Sequence, residues 1–214
     1  MTETARIARI AAILGIPREQ LDDAAVVSAP AGQLVLTVDE QVEGTHFTRA
    51  LVTLEDVGFR ATITAASDLA AMGATPLAAL AAWVLPREST EDDVAALARG
   101  QKIACDALGA PVVGGNLARG PALSIATTWI GSTGSGTPPI ARSGARPGDG
   151  LFVCGDLGLA SAGFHALSGG LDTPAAAAEA FRRPVARIAA GLRMATVAHA
   201  ALDVSDGLAI DAGR

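Results

Sequence analysis

Acidic side chains placed where a protein core would not tolerate them are the chemically informative feature of this sequence. Along residues 34–47, LVLTVDEQVEGTHF, an apolar run that reads as a buried strand gives way to Asp39, Glu40, Glu43 and His46, with Gly44 free to turn the backbone between them. An uncompensated carboxylate out of water is costly, so such a group needs hydrogen-bond partners or a cation. A metal-phosphate site would supply the cation. Asp22 and Asp23, ahead of the apolar run 24–27, read either as a solvated turn or as ligands for a hard cation. Asp68 is the single charge in ATITAASDLAAMG, a helix apolar all round and therefore buried, so its partner must lie inside the protein. That partner is a metal or its water, or else an arginine or backbone group. Near the end, ALDVSDGLAIDAGR sets Asp203 and Asp206 about a strand-to-helix turn whose main-chain amides favour anions. Ser205 or Asp206 would serve as an ordinary N-cap, but two carboxylates at one turn favour magnesium.

Other stretches carry weaker signals. In APVVGGNLARG a short strand runs into Gly114 and Gly115, then Asn116 and Arg119. This is either an ordinary turn or a close backbone approach to phosphate. Arg142 and Arg146 lie among glycines in ARSGARPGDG, and Arg142 is either a surface charge or a fork onto phosphate oxygens. His199 reads as an exposed or satisfied helix histidine. Cys105, in a helical pattern, and Cys154, in an apolar strand, read as buried small side chains.

The elements that must position these groups follow from periodicity and punctuation. Residues 4–14 form an amphipathic helix closed by Gly15 and Pro17, and Thr53 caps a helix running toward Gly73. Residues 77–85 form a strand, Thr90 caps a helix that Gly109 closes, and residues 123–130 form the next strand. The segment GSTGSGTPP is either a long hairpin tip or the approach to a domain boundary. Residues 151–154 begin a new strand, followed by Ala-rich helical segments split at Pro174 and Pro184. With 214 residues, half of them hydrophobic, the chain can bury a substantial core. A formal net charge of -6, 3% aromatic residues and no tyrosine exclude a general nucleic-acid surface and a base-stacking platform. No apolar stretch approaches the roughly 18 residues of a membrane span, and the N-terminus is not a signal peptide, so a soluble cytoplasmic protein is expected.

Taken together, DDAAVV, TVDEQVEGTHF, ASDLAAMGATP, VVGGNLARG, RSGARPGD and DVSDGLAID, in that order and spacing, resemble the thiamine-monophosphate kinases of the aminoimidazole-ribonucleotide-synthetase-like superfamily. The resemblance runs from about Asp22 to the last residue. It implies an α+β, PurM-like two-domain architecture. Residues 1–137 would be an N-terminal α/β domain with a mixed sheet, for ATP and Mg²⁺ binding and dimerisation. Residues 148–214 would be an incomplete C-terminal α/β domain. It also implies a homodimer whose first-domain strands join across the interface.

The activity implied is transfer of the γ-phosphoryl group of ATP to the phosphate of thiamine monophosphate, giving thiamine diphosphate. Such kinases use several Mg²⁺ ions and no Walker loop, and this sequence has none. Matched motif by motif, Asp23, Thr37, Asp39, Asp68, Asn116, Asp203 and Asp206 are implied metal ligands. Gly115, Asn116, Arg142 and Ser205 are implied ATP contacts, and His46 an implied contact of thiamine monophosphate. No general base is assigned, because the acceptor phosphate is already anionic. Two departures stand out. Asn116 replaces the family's GGD aspartate, which weakens metal binding there, and no GGEDYEL-like segment follows DVSDG. The second implies either a fragment or a chain lacking part of its second domain. Competing readings are an ATP-using relative of the hydrogenase-maturation or selenophosphate type, and a noncatalytic Mg-ATP-binding protein. The absence of cysteine ahead of Asp22 speaks against selenophosphate synthesis.

Overall fold

Threonines start the helices of the N-terminal half. Thr2 accepts the Ala5 amide to open α1 (Glu3–Leu14), which Gly15 closes in the left-handed region at φ 75°. The computed structural model describes residues 2–17 and 30–213, so Asp22 and the expected ligand Asp23 lie outside the described residues. After β1 (Leu34–Val42), α2 (Leu54–Ala71) opens on a capping box: the Asp56 amide donates to the Thr53 hydroxyl and the Thr53 amide to the Asp56 carboxylate. Strand β2 (Thr75–Leu85) follows. Thr90 and Asp93 open α3 (Glu91–Leu108) with the same reciprocal pair, and Gly109 ends it. Strands β3 (Val112–Arg119) and β4 (Ser124–Ser132) complete one mixed sheet in the order β1-β4-β2-β3. Strand β4 is antiparallel to β1 and β2, while β2 and β3 are parallel and therefore need α3 as their crossover.

The two long helices cover one face of this sheet. Helix α2 is rich in alanine because it is pressed on several sides: Ala61, Ala65, Ala66 and Leu69 are all buried. A Cβ on Gly100 would overlap the Glu55 carbonyl oxygen, so α2 and α3 touch through their backbones. Beneath them lie Trp83 of β2 and Trp129 of β4, the latter donating its indole N–H to the Thr62 carbonyl at 2.9 Å. Among the described residues nothing covers the other sheet face. Leu36 and Val38 of β1 are each 64% exposed, and Leu80 of β2 points the same way. The expectation of a buried first strand is thus half met: β1 is an edge strand whose inner face alone is covered.

Beyond Ser132 the chain is helical: α4 (Leu159–Ser168), α5 (Ala175–Arg182), α6 (Ile188–Met194) and the short α7 (Leu208–Asp211). Among the described residues no strand forms after β4, so the strands expected at 151–154 and before Asp203 are absent. A strand needs a neighbour to bond to, and none of the described segments beyond Ser132 offers one. Phe152 is 88% exposed, and Cys154 is exposed where a buried thiol was expected. Cys105 is buried as anticipated, its thiol pushed up to about 11 chiefly by that burial. The GSTGSGTPP stretch completes β4 and then leads out of the sheet.

The helical half is clasped to the start of α2. Arg183 reaches Asp56 at 2.8 Å and Glu55 at 2.9 Å, and the Arg182 guanidinium donates to the Leu51 carbonyl at 2.9 Å. Burial pushes the Asp56 carboxyl up, but hydrogen bonds from Arg183 and Thr53, with the Arg183 charge, outweigh it and hold it below the usual carboxylate range. Among the described residues no helix is long and apolar enough to cross a membrane.

Two outcomes follow. Gly100→Ala should destabilise the protein by about 2 kcal/mol, read as a lower urea midpoint at unchanged slope. Asp56, held down in the folded state, stabilises above its unfolded pKa of about 3.9, and that stability is lost as pH falls through the folded value. Melting curves of Asp56→Asn should therefore lose part of the wild-type pH dependence below about pH 4.

Candidate active site

Alternation along β1 puts Val35, Thr37, Asp39 and Gln41 on the face turned toward α2. Asp68 comes down from α2 to meet them, and its carboxylate accepts the Thr37 hydroxyl. The buried-helix carboxylate therefore has its internal partner, a threonine rather than an arginine or backbone group. Asp39, half-buried on the same face, turns back to accept the amide of Glu40 at 2.7 Å.

The last part of the chain brings a second carboxylate within electrostatic range of Asp68. Asp203 is half-buried. Its carboxyl is pushed up by burial and then by the charges of Asp68 and Asp211, against the opposing pull of its own amide and of Arg142. Residues from α2, from the 141–150 loop and from the 203–211 segment thus lie within electrostatic reach of one another. The Arg142 loop is pinned to the segment before Asp203. Asp149 accepts the Arg146 amide at 2.8 Å and lies 3.0 Å from His199 Nδ1, while the Ala201 amide donates to the Ala141 carbonyl at 3.1 Å. The Arg146 amide, then His199, hold the Asp149 carboxyl below its usual range. His199 is satisfied, as expected, but lies outside any helix.

Sequence reasoning missed Asp211. It is 2% exposed, and one of its carboxylate oxygens accepts the amides of Ser205 and Asp206 at 2.9 Å and of Gly207 at 3.0 Å. The amides expected to favour a bound anion already hold an internal one, so that expectation is corrected. The available signal was an acidic residue in an apolar turn, LAID, where nothing else called for charge.

The remaining candidates lie further off. His46 Nδ1 accepts the Val42 amide at 3.0 Å, which places the ring proton on Nε2 and presents an exposed imidazole on the loop after β1. Glu40 accepts the Ser124 hydroxyl, and Glu43 is forked by Arg49 at 2.8 and 3.1 Å, so both carboxylates have protein partners. Gly114 and Gly115 are within β3, not in a loop at its end. Gly115 is needed there because a Cβ would overlap the Ala81 carbonyl oxygen. Asn116 shares a register row with Ala82, Ala126 and Glu40, which places it across the sheet from β1, on the face opposite Thr37 and Asp39. The single chain does not bring it to Asp68. Arg119 lines an open groove of about 430 Å³ with Arg87 and Glu88, away from the carboxylates.

The donor set suits magnesium chemically. Asp68, Asp203 and Thr37 offer only hard oxygen atoms, and burial, then the charge of Asp68, raises the proton affinity of Asp203. Among the described residues no three acidic, histidine or cysteine side chains are grouped closely enough to hold an ion by themselves. Mg²⁺ is usually held by one or two carboxylates together with water and phosphate oxygens, so a pair is the expected protein share.

Residues 21–133 match the family of AIR synthase related protein, N-terminal domain. The thiamine-monophosphate kinase of Mycobacterium tuberculosis (strain CDC 1551 / Oshkosh) is 36% identical over 191 residues, 89% of this chain and 57% of that protein. This chain therefore spans little more than half the length of that relative. The crystal structure of thiamine-monophosphate kinase from Stenotrophomonas maltophilia K279a superposes with a TM-score of 0.83 at 35% identity, covering 97% of this chain and 69% of that one. AaThiL complexed with AMPPCP and TMP superposes with a TM-score of 0.80 at 34% identity, covering 98% and 68%. The shared domain, the sequence identity and the superposed fold together place this chain in the AIR synthase related family, as a member of its thiamine-monophosphate kinase branch.

Proposed function

We propose that this chain is the Mg-ATP-binding part of an enzyme that moves the γ-phosphoryl group of ATP onto the phosphate of thiamine monophosphate, giving thiamine diphosphate. The observation that carries the reading is the meeting of Thr37 from β1 with the Asp68 carboxylate from α2, hard-oxygen donors with Asp203 and Arg142 in electrostatic range. The relative that superposes with both AMPPCP and TMP bound supports it. So does the identity to thiamine-monophosphate kinases, which favours this reaction over the hydrogenase-maturation type.

The physical difficulty of the reaction is that donor and acceptor are both anions. Magnesium bound at the carboxylates would bridge phosphate oxygens and neutralise charge as it shifts toward the leaving group. Asp68, Asp203, Asp39 and Asp206 would hold it, with Thr37 fixing the Asp68 carboxylate, and Asp23 would add a donor from outside the described residues. Arg142, on an exposed loop, would fork onto the nucleotide phosphates, and the Ser205 hydroxyl and Gly115 backbone would contact ATP. His46 would meet thiamine monophosphate through Nε2–H. No side chain is assigned as general base, since orientation and charge compensation suffice for an anionic nucleophile.

The same reading divides the chain at residues 137–148 into a sheet-bearing nucleotide domain and the start of a second domain. It also pairs the uncovered sheet face with a second copy. Leu34, Leu36, Val38 and Leu80 form an apolar patch of the kind that marks an interface.

Incubation with ATP, thiamine monophosphate and Mg²⁺ should yield thiamine diphosphate, and Asp68→Asn and Asp203→Asn should each lower the rate at least about tenfold. Unchanged rates would remove the metal assignment, and Mg-ATP binding without product would favour a noncatalytic nucleotide-binding protein. In sedimentation experiments the wild type should run as a dimer, and Leu36→Lys should shift it to monomer.

A further inference from the structure

The turn 203–207 is held by an interaction that neither capping chemistry nor helix length would provide. Helix α7 has four residues and no side-chain cap, too short to fix its own entry. Instead three consecutive amides, from Ser205, Asp206 and Gly207, converge on one oxygen of the buried Asp211 carboxylate. Three charge-assisted bonds offset the desolvation of that carboxylate and fix the turn from inside. No peptide bond in the described chain is cis, and in a trans peptide the N–H and C=O point in opposite directions. Amides directed inward at Asp211 therefore leave the carbonyls of Val204, Ser205 and Asp206 directed the other way. A turn that would otherwise be an anion nest becomes an oxygen-bearing surface suited to a cation.

We propose that Asp211 is a positioning residue that holds the 203–207 turn inverted, so that the turn faces a metal ion with oxygen atoms and its main-chain amides take no part in binding phosphate. This rests on the reading of the site as a Mg-ATP site. Asp211 itself does not touch the nucleotide. It sets the direction of the backbone that carries Asp203 and Asp206, and it withdraws the Ser205 amide from phosphate binding.

The test compares the wild type with Asp211→Asn, which keeps an acceptor oxygen in place, and Asp211→Ala, which removes it. In the wild type the Ser205, Asp206 and Gly207 amides should exchange slowly with deuterium. Asp211→Ala should speed that exchange at least about tenfold and weaken calorimetric Mg²⁺ binding in the presence of ATP by a similar factor, whereas Asp211→Asn should stay within about threefold of wild type on both. Fast exchange at the three amides in the wild type overturns the proposal without any variant. So does wild-type metal binding in Asp211→Ala, or an Asp211→Asn protein as impaired as the alanine variant. A wild-type chain that binds neither Mg²⁺ nor ATP defeats the functional reading instead, and the exchange measurement still decides the role of Asp211.

Discussion

A helix pressed on three sides leaves Asp68, the one charged side chain in its second half, very few places to go. Helix α2 lies on the sheet, touches α3 backbone to backbone, and carries α5 and α6 on its remaining flank. Its alanines and Gly58, where a Cβ would overlap the Leu97 carbonyl oxygen, are what allow such close packing. The consequence is that Asp68 is held against Thr37, with Asp203 within electrostatic range. Everything else proposed for the site depends on how firmly α2 is seated. That explains why the Arg183 clasp and the capping box, which are far from any chemistry, sit on the same helix.

The electrostatics of the site run against the fold and in favour of a ligand. Asp68 and Asp203 are like charges brought within electrostatic range from remote parts of the sequence, with Asp211 beyond Asp203 and Arg142 opposing them. Burial, then the charge of Asp68, raises the proton affinity of Asp203, a cost that a bound divalent cation would remove. Asp211 differs from the other two because three amides already neutralise it. The turn thus places an inner carboxylate, which organises the backbone, in the same short stretch as the half-buried Asp203.

How much of this was legible in the sequence depends on how local each feature is. The starts of α1, α2 and α3 and the glycines closing α1 and α3 were readable, because a cap is a bargain among residues three or four apart. The need of Asp68 for an inner partner was readable from the apolar helix around it. Strand formation is not local. The run 151–154 has the right residues for a strand and no neighbour among the described segments, so it stays irregular and Cys154 stays in water. The position of Asn116 depends on register across four strands, and one step along β3 exchanges the faces on which Gly115 and Asn116 lie. Asp211 was overlooked because its partners are amides, which every sequence possesses and none displays.

The placement of the aromatic residues has a practical corollary. The chain has two tryptophans and no tyrosine, and Trp83 and Trp129 are both buried between the sheet and its helices. Intrinsic ultraviolet emission from this protein is therefore a report from a single location. It will register the loosening of the sheet core, yet remain silent if α4 to α7 and the turn carrying Asp203 come undone first. A fluorophore attached at the exposed Cys154, the more accessible of the two thiols, would give the silent half a signal of its own.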